Sequence, residues 1–127
     1  MYKELIICTV IIIIIVTLDI FLQNSTKNST TEIEEILSEI KESVENKDTT
    51  KQNDKLNLLE QTWEDKHNKL AYYIEHDELE KVDSSIVKVR HFLENGDIPS
   101  AIAELETGKF VLKHIEDKYK FNFQNIF

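Results

Sequence analysis

Glycine and proline are almost missing from this chain of 127 residues, which has two of the first and one of the second. That excludes Gly-rich phosphate loops and turn-dense β architectures, which depend on residues able to adopt left-handed or sharply turned backbone. A single cysteine, Cys8, leaves no partner for an intrachain disulfide, so no disulfide framework supports the fold. Basic residues are in deficit, 15 Lys+Arg against 24 Asp+Glu. From Gln23 onward, with Lys3, Glu4 and Asp19 set aside, 14 basic face 22 acidic residues, a net charge of −8. Nucleic acid is excluded as a partner on that balance, because affinity for a polyanion comes mainly from basic residues on phosphates. Neither G-x-S-x-G nor a phosphate loop occurs, and few loops are left on which a catalytic site could be built. The expectation is a protein that is not an enzyme and carries no cofactor.

What the chain does have is one long apolar run, LIICTVIIIIIVTLDIFL, at Leu5–Leu22. As a helix its 18 residues span about 27 Å, close to the hydrocarbon thickness of a bilayer. It exceeds the apolar core of a typical cleaved signal, and no small-x-small cleavage site follows. It is therefore read as an uncleaved single-pass transmembrane anchor. Asp19 lies near its far end, within reach of interfacial water. Lys3 and the terminal amine on one side, against Lys27 on the other, place the amino terminus in the cytoplasm and the remaining chain outside the cell membrane. Heavy use of Ile, Lys, Asn and Glu points to an AT-rich bacterial genome.

Residues 1–4 form a short flank, 5–22 the anchor and 23–30, QNSTKNST, a polar linker. A bundle domain is expected over 31–119. Its first helix opens at Thr31, with Glu34 completing a capping-box pattern, and carries Ile33, Ile36, Leu37, Ile40 and Val44 on one stripe. Asp48–Asp54 reads as a turn. Leu56, Leu59, Trp63, His67, Leu70 and Ile74 then share a face, followed by Val82, Ile86, Val89 and Leu93 on a face rotated by about 90°. The phase changes within Glu75–Leu79, where no Gly or Pro breaks the chain, so one long central helix kinked at that point is expected. A helix–helix corner is the other option. Gly96 suits a helix C′ position and Pro99 a fresh start. Ile98, Ala101, Leu105, Gly108, Leu112, Ile115 and Tyr119 mark the last helix along one stripe, with Gly108 allowing close approach of a neighbour. Residues 120–127, KFNFQNIF, read as an apolar tail packed on the bundle. The fold class is all-α: a transmembrane helix followed by a small antiparallel helical bundle.

Few residues suggest chemistry. Glu64 and His67 form one E-x-x-H pair, the spacing used in carboxylate-bridged di-metal bundles, but the second copy such a site needs is missing. The letters HDEL at His76–Leu79 are not at the chain end and carry no retrieval signal. Glu78 projects onto the apolar face and requires a partner, for which Lys113 and His114 are the candidates, while His76 points away. Trp63 is read as a core anchor. The alternative to a protein–protein module is a metal- or small-ligand site built from Glu64, His67, Glu78 and His114.

With Trp63, IEHDEL at Ile74–Leu79, KHI at Lys113–Ile115 and the terminal NIF in view, the chain resembles a family of small single-span membrane proteins of clostridia-type bacteria, grouped as a domain of unknown function. The likeness rests on a W-x(11–13)-H-x-E-[LI] pattern and an N-I-F end. It implies a membrane anchor with a helical domain and singles out Trp63, His76, Glu78, Leu79, His114, Asn125, Ile126 and Phe127, without a role for any. The reading that follows is a membrane-bound accessory or scaffold subunit with a protein partner.

Overall fold

The structure is a computed structural model that describes the backbone of residues 1–126 and the side chains of residues 1–120. Four helices follow one another: α1 (Tyr2–Glu45), α2 (Thr49–Leu70), α3 (His76–Glu94) and α4 (Ile98–Ile126). No strand occurs among the described residues. Ion pairs and one side-chain hydrogen bond between helices fix their directions. Glu39 with Lys55 and Glu32 with Lys66 (3.0 Å) run α2 antiparallel to α1. Lys41 with Glu106 (3.0 Å) and Thr30 with Glu116 (3.2 Å) do the same for α4 on α1. Lys88 with Glu104 and Glu75 with Lys118 set α4 against α3. The result is an up-down-up-down four-helix bundle.

The core is the stripe set that helical periodicity marks. Ile33, Leu37 and Ile40 of α1, Leu56 and Leu59 of α2, Leu79, Val82 and Val89 of α3, and Leu105, Leu112 and Ile115 of α4 are all almost wholly buried. Fully burying each such side chain contributes about 1.5–3 kcal/mol before chain entropy is counted. Ile98, placed on the inner stripe by spacing, is exposed instead, at the very start of α4. Gly108 faces α1 and α3 without being required by a close approach: a Cβ there would sit at ordinary contact distances, 3.4 Å from Leu37 and 3.7 Å from Ser85.

Four expectations change. The polar segment 23–30 is no linker, because α1 continues through it without a break. Its serine and threonine side chains do what a linker would not: Thr26, Ser29 and Thr30 are buried against the bundle. The Thr26 hydroxyl donates to the Leu22 carbonyl (2.7 Å) and accepts from the Tyr73 hydroxyl (2.6 Å), so its polarity is satisfied inside the helix pair. With the helix already running, the Thr31–Glu34 capping box has no terminus to cap. The turn expected over 48–54 shrinks to three residues, since Asp48 accepts from the Lys51 amide (3.1 Å) and starts α2 at Thr49. The central helix does not kink but ends at Leu70 and restarts at His76, so the corner option holds. Lastly, α4 extends to Ile126 instead of giving way to a tail at residue 120. The tail packing expected of Phe121, Phe123, Ile126 and Phe127 lies outside the described residues.

The two distal turns are the same turn made twice. Glu45-Asn46-Lys47-Asp48 joins α1 to α2, and Glu94-Asn95-Gly96-Asp97 joins α3 to α4. In each, the third residue has positive φ, 57° for Lys47 and 73° for Gly96. In each, the amides of the third and fourth residues return to carbonyls of the last helical turn: Lys47 to Val44 and Asp48 to Ser43, then Gly96 to Leu93 and Asp97 to Phe92. That is the Schellman pattern. Both aspartates then cap the next helix, through Lys51 and Ser100. The core follows suit, with Ile33, Leu37, Ile40 and Val44 matched by Val82, Ile86, Val89 and Leu93, each 49 positions further on. The bundle is a helical hairpin repeated.

Gly108→Ala is expected to leave stability unchanged or raise it by up to about 1 kcal/mol, because the added methyl meets ordinary contact distances and improves helix propensity. Gly108→Leu is expected to cost about 1–3 kcal/mol by overpacking against Leu37. Denaturant midpoints of the two variants check this contrast.

Candidate functional site

The α2–α3 corner, residues 71–75, is the one connection that does not repeat the hairpin turn, and it gathers most of the residues singled out from sequence. The chain leaves α2 through bonds from Tyr73 and Ile74 to the Leu70 carbonyl, then enters α3 with Glu75 as N-cap, extended and without a side-chain cap. Ile74 is buried and drags the corner onto the core, while Tyr72 stays 91% exposed. Tyr73 stacks edge-on against Tyr119 of α4, ring centroids 6.1 Å apart. The Tyr119 hydroxyl accepts from the Glu75 amide (3.1 Å). The corner is thus tied at once to α4 and, through Tyr73 and Thr26, to α1.

Glu78, in the first turn of α3, points inward and is 7% exposed. Its Oε1 lies 3.5 Å from the Lys118 ammonium and 3.9 Å from His114 Nε2. His114 was within reach of sequence reasoning; Lys118 was not, because only the register of α4 against α3 brings it there. Lys113, the other expected partner, turns away to Glu116 and Asp117. Partial desolvation pulls the Lys118 ammonium down, yet the carboxylates of Glu75 and Glu78 outweigh it and hold its pKa above the ordinary lysine value. The second oxygen of Glu78 is buried with no partner among the described residues. Beside it, Lys81, Phe110, Val111 and His114 complete a depression of about 360 Å³ with a carboxylate at its side and an aromatic ring at its rim. Phe110 is 74% exposed there.

Trp63 and His67 belong elsewhere. Trp63 is buried, as a core anchor should be, and its indole N–H donates to Asp83 of α3. His67 is half-buried at the core edge, with Nε2 3.5 Å from the other oxygen of Asp83 and its ring edge-on to Trp63. Arg90 makes a second bridge to Glu60 and Asn57. These polar contacts, rather than broad apolar packing, join α2 to α3. Glu64 lines the same shallow depression as His67 and Asp83, whereas Glu78 and His114 line the one beyond α3. The four residues of the metal alternative are therefore split between two places. Among the described residues, no group of three or more His, Cys, Asp or Glu is arranged to hold a metal ion.

The remaining candidates divide cleanly. Leu79 is wholly buried and acts as core. His76 is exposed and pairs with Glu80 (2.8 Å) along its own helix. Asn125, Ile126 and Phe127 have side chains outside the described residues. Sequence reasoning missed Asp83, which receives Trp63 and His67 together, and Arg90, the only arginine of the chain. An isolated Arg on a lysine-rich surface was the available signal for a forked ion-pair contact.

A helical hairpin repeated into a bundle and carried on an apolar amino-terminal helix defines the class: a small all-α domain with its polar corner at the α2–α3 junction. Residues 20–126 match the family described as "Domain of unknown function (DUF4363)", and the chain belongs to that family. Neither curated proteins nor solved structures gave a match.

Two substitutions probe the buried carboxylate. Glu78→Met combined with Lys118→Met is expected to be neutral or stabilising by about 1–4 kcal/mol, as when a buried ion pair gives way as a whole to apolar groups of similar size. Lys118→Met strips one cation from a buried acid and is expected to cost about 1–3 kcal/mol. Chemical denaturation of both variants distinguishes the signs.

Glu34, beside Lys109 on the α1–α4 side, offers a pH test. Burial lifts its carboxyl above the ordinary glutamate range, Glu116 adds to the rise, and Lys113 and Lys109 oppose it. A carboxyl raised in the folded state favours folding at low pH and loses that contribution as pH climbs through its folded value. Glu34→Gln is expected to raise the thermal midpoint at pH 7, with the gain vanishing below about pH 4. Calorimetry showing the same gain at both pH values would refute the assignment.

Proposed function

We propose that this protein is a single-pass membrane-anchored bundle that works by protein–protein contact, as a non-enzymatic accessory subunit of an envelope or membrane complex. The observation that carries the reading is the division of α1. Its apolar window is long enough to cross a bilayer and none of it is buried, whereas Ile33 to Val44 of the same helix are core. Leaving the 14 large apolar residues of this segment in water costs on the order of tens of kcal/mol, and a bilayer removes that cost. The weak excess of positive charge before the span supports a cytoplasmic amino terminus and an extracytoplasmic bundle.

The face offered to a partner is the α3–α4 side. Phe110 stands out of it, Val111 lies half-buried beside it, and the unpartnered oxygen of Glu78 supplies a hydrogen-bond acceptor in the adjoining depression. A buried aromatic anchor with one directed polar contact is the form that interaction hot spots take. The net charge of −8 beyond residue 22 favours a basic partner surface.

Membranes from cells making the full chain are expected to retain it after alkaline carbonate extraction, with an intact mass that includes Met1–Leu22. Release into the soluble fraction, or a mature chain starting beyond Leu22, would overturn the anchor. A photo-crosslinking amino acid at position 110 is expected to give a discrete higher-mass adduct that the same group at exposed Leu58 does not. No adduct at 110 removes the docking face.

A further inference from the structure

The register of α4 against α1 carries the bundle further toward the bilayer than the anchor alone requires. Lys41 meets Glu106 and Thr30 meets Glu116, so each step outward on α4 is one step back along α1. Tyr119 and Lys120 accordingly share a cleft with Thr26, Lys27, Asn24 and Gln23. From Tyr119 the helix runs on to Ile126, a further seven residues or about 10 Å. At the same register its end is level with Ile20 and Phe21, inside the apolar segment. The facing side of α1 agrees. Val16, Asp19 and Gln23 are partly covered, and they continue at alternating spacings of three and four the seam Thr26, Thr30, Ile33 and Leu37 on which α4 packs. Leu22 is partly covered as well, and the other residues of that segment are open.

The composition of this end of the molecule suits an interface. Tyr73 and Tyr119 stack there, Tyr72 projects outward, and the α4 sequence beyond Lys118 reads Y-K-F-N-F-Q-N-I. Tyrosines and lysines flanking aromatic residues are the groups that settle at headgroup level, apolar body inward and polar tip in water. Thr26, which holds Tyr73, is four residues or about 6 Å past Leu22. The corner is thus at headgroup depth.

We infer that the bundle sits directly on the bilayer, with the end of α4 entering the lipid interface alongside the last turns of the span and the tyrosines of the α2–α3 corner lying at headgroup depth. The partner is the lipid interface itself, a zwitterionic one by preference given the acidic domain. The inference rests on the anchored reading of residues 5–22, and its test separates the two.

The full chain carrying Cys8→Ser, reconstituted in phosphatidylcholine nanodiscs, takes a single spin label through Ile14→Cys, Val87→Cys, Phe123→Cys or Ile126→Cys. Power saturation compares collisions with oxygen, which concentrates in lipid, against a water-soluble nickel chelate. The label at 14 reports the span and that at 87 the exposed bundle surface. Labels at 123 and 126 are expected to favour oxygen, as at 14, while 87 favours nickel. If 14 favours oxygen but both 123 and 126 behave like 87, the seating of α4 is overturned and the anchor stands. If 14 itself favours nickel, the anchored reading fails and takes this inference with it.

Discussion

One helix carries two kinds of surface. The outer part of α1 exposes isoleucine on every side, whereas from Thr26 onward its inner faces are buried by protein. No glycine, proline or loop separates the two regimes, so the backbone hydrogen bonds of one continue into the other. Everything else in the fold is placed by that continuity. The faces of α1 that must be covered decide where α2 and α4 lie, and α3 closes the bundle by packing chiefly on α4. The alternating three-and-four spacing of Val16, Asp19, Gln23, Thr26, Thr30, Ile33 and Leu37 is a coiled-coil seam. At its outer positions Thr26 and Thr30 bond within the helix, to the corner and to Glu116 of α4, whereas Asp19 and Gln23 each keep a buried side-chain atom with no partner among the described residues. Polar residues at the boundary therefore serve packing, and do not loosen the chain.

The rest of the architecture is repetition with one exception. Two hairpins share their turn, their aspartate caps and the positions of their core residues. One copy uses glycine for the left-handed residue; the other forces Lys47 into it, at a cost of about 1 kcal/mol in backbone strain. The exception is the α2–α3 connection. It has no Schellman turn, is held by tyrosine hydroxyls and ion pairs, and gathers Glu75, Glu78, Lys118 and His114. Conserving the hairpin while changing the joint concentrates the molecule's unusual chemistry at the joint, which lies at the same end of the bundle as the apolar half of α1.

The apolar pattern made much of this readable from sequence. Stripes at helical spacing identified nearly every core residue, the rotation of phase located the corner to within a few residues, and Gly96 had the turn role that its lack of a side chain suggests, whereas Gly108 sits where a methyl group would meet only ordinary contacts. What was illegible shares a cause, since it depends on pairing across helices. The segment QNSTKNST looks like a linker by composition, and only the faces of α4 and the corner pressed onto it make it helix. Glu78 plainly required a partner, but which cation it meets depends on the register between α3 and α4, so Lys118 stayed hidden and Lys113 was overrated. The E-N-x-D repeat was visible all along, at 49-residue spacing, yet four short polar letters carry little weight until both copies are seen to turn the same way. The metal alternative failed for the complementary reason: residues close in type and sequence were assigned by the bundle to opposite sides of α3.

On the proposed anchoring of residues 5–22 in a bilayer, an unbroken α1 also makes the protein a lever. Transmembrane helices commonly tilt by about 20°. The bundle extends roughly 30 Å beyond the apolar segment, some 20 helical residues. A rigid arm of that length converts a 20° tilt into a displacement of about 10 Å at the distal turns, Lys47 and Gly96 among them. Rotation of the buried half about its axis likewise turns the α3–α4 face through the same angle. Whatever neighbours the span within the bilayer thus sets the direction in which Phe110 and its depression point, with no hinge to absorb the motion.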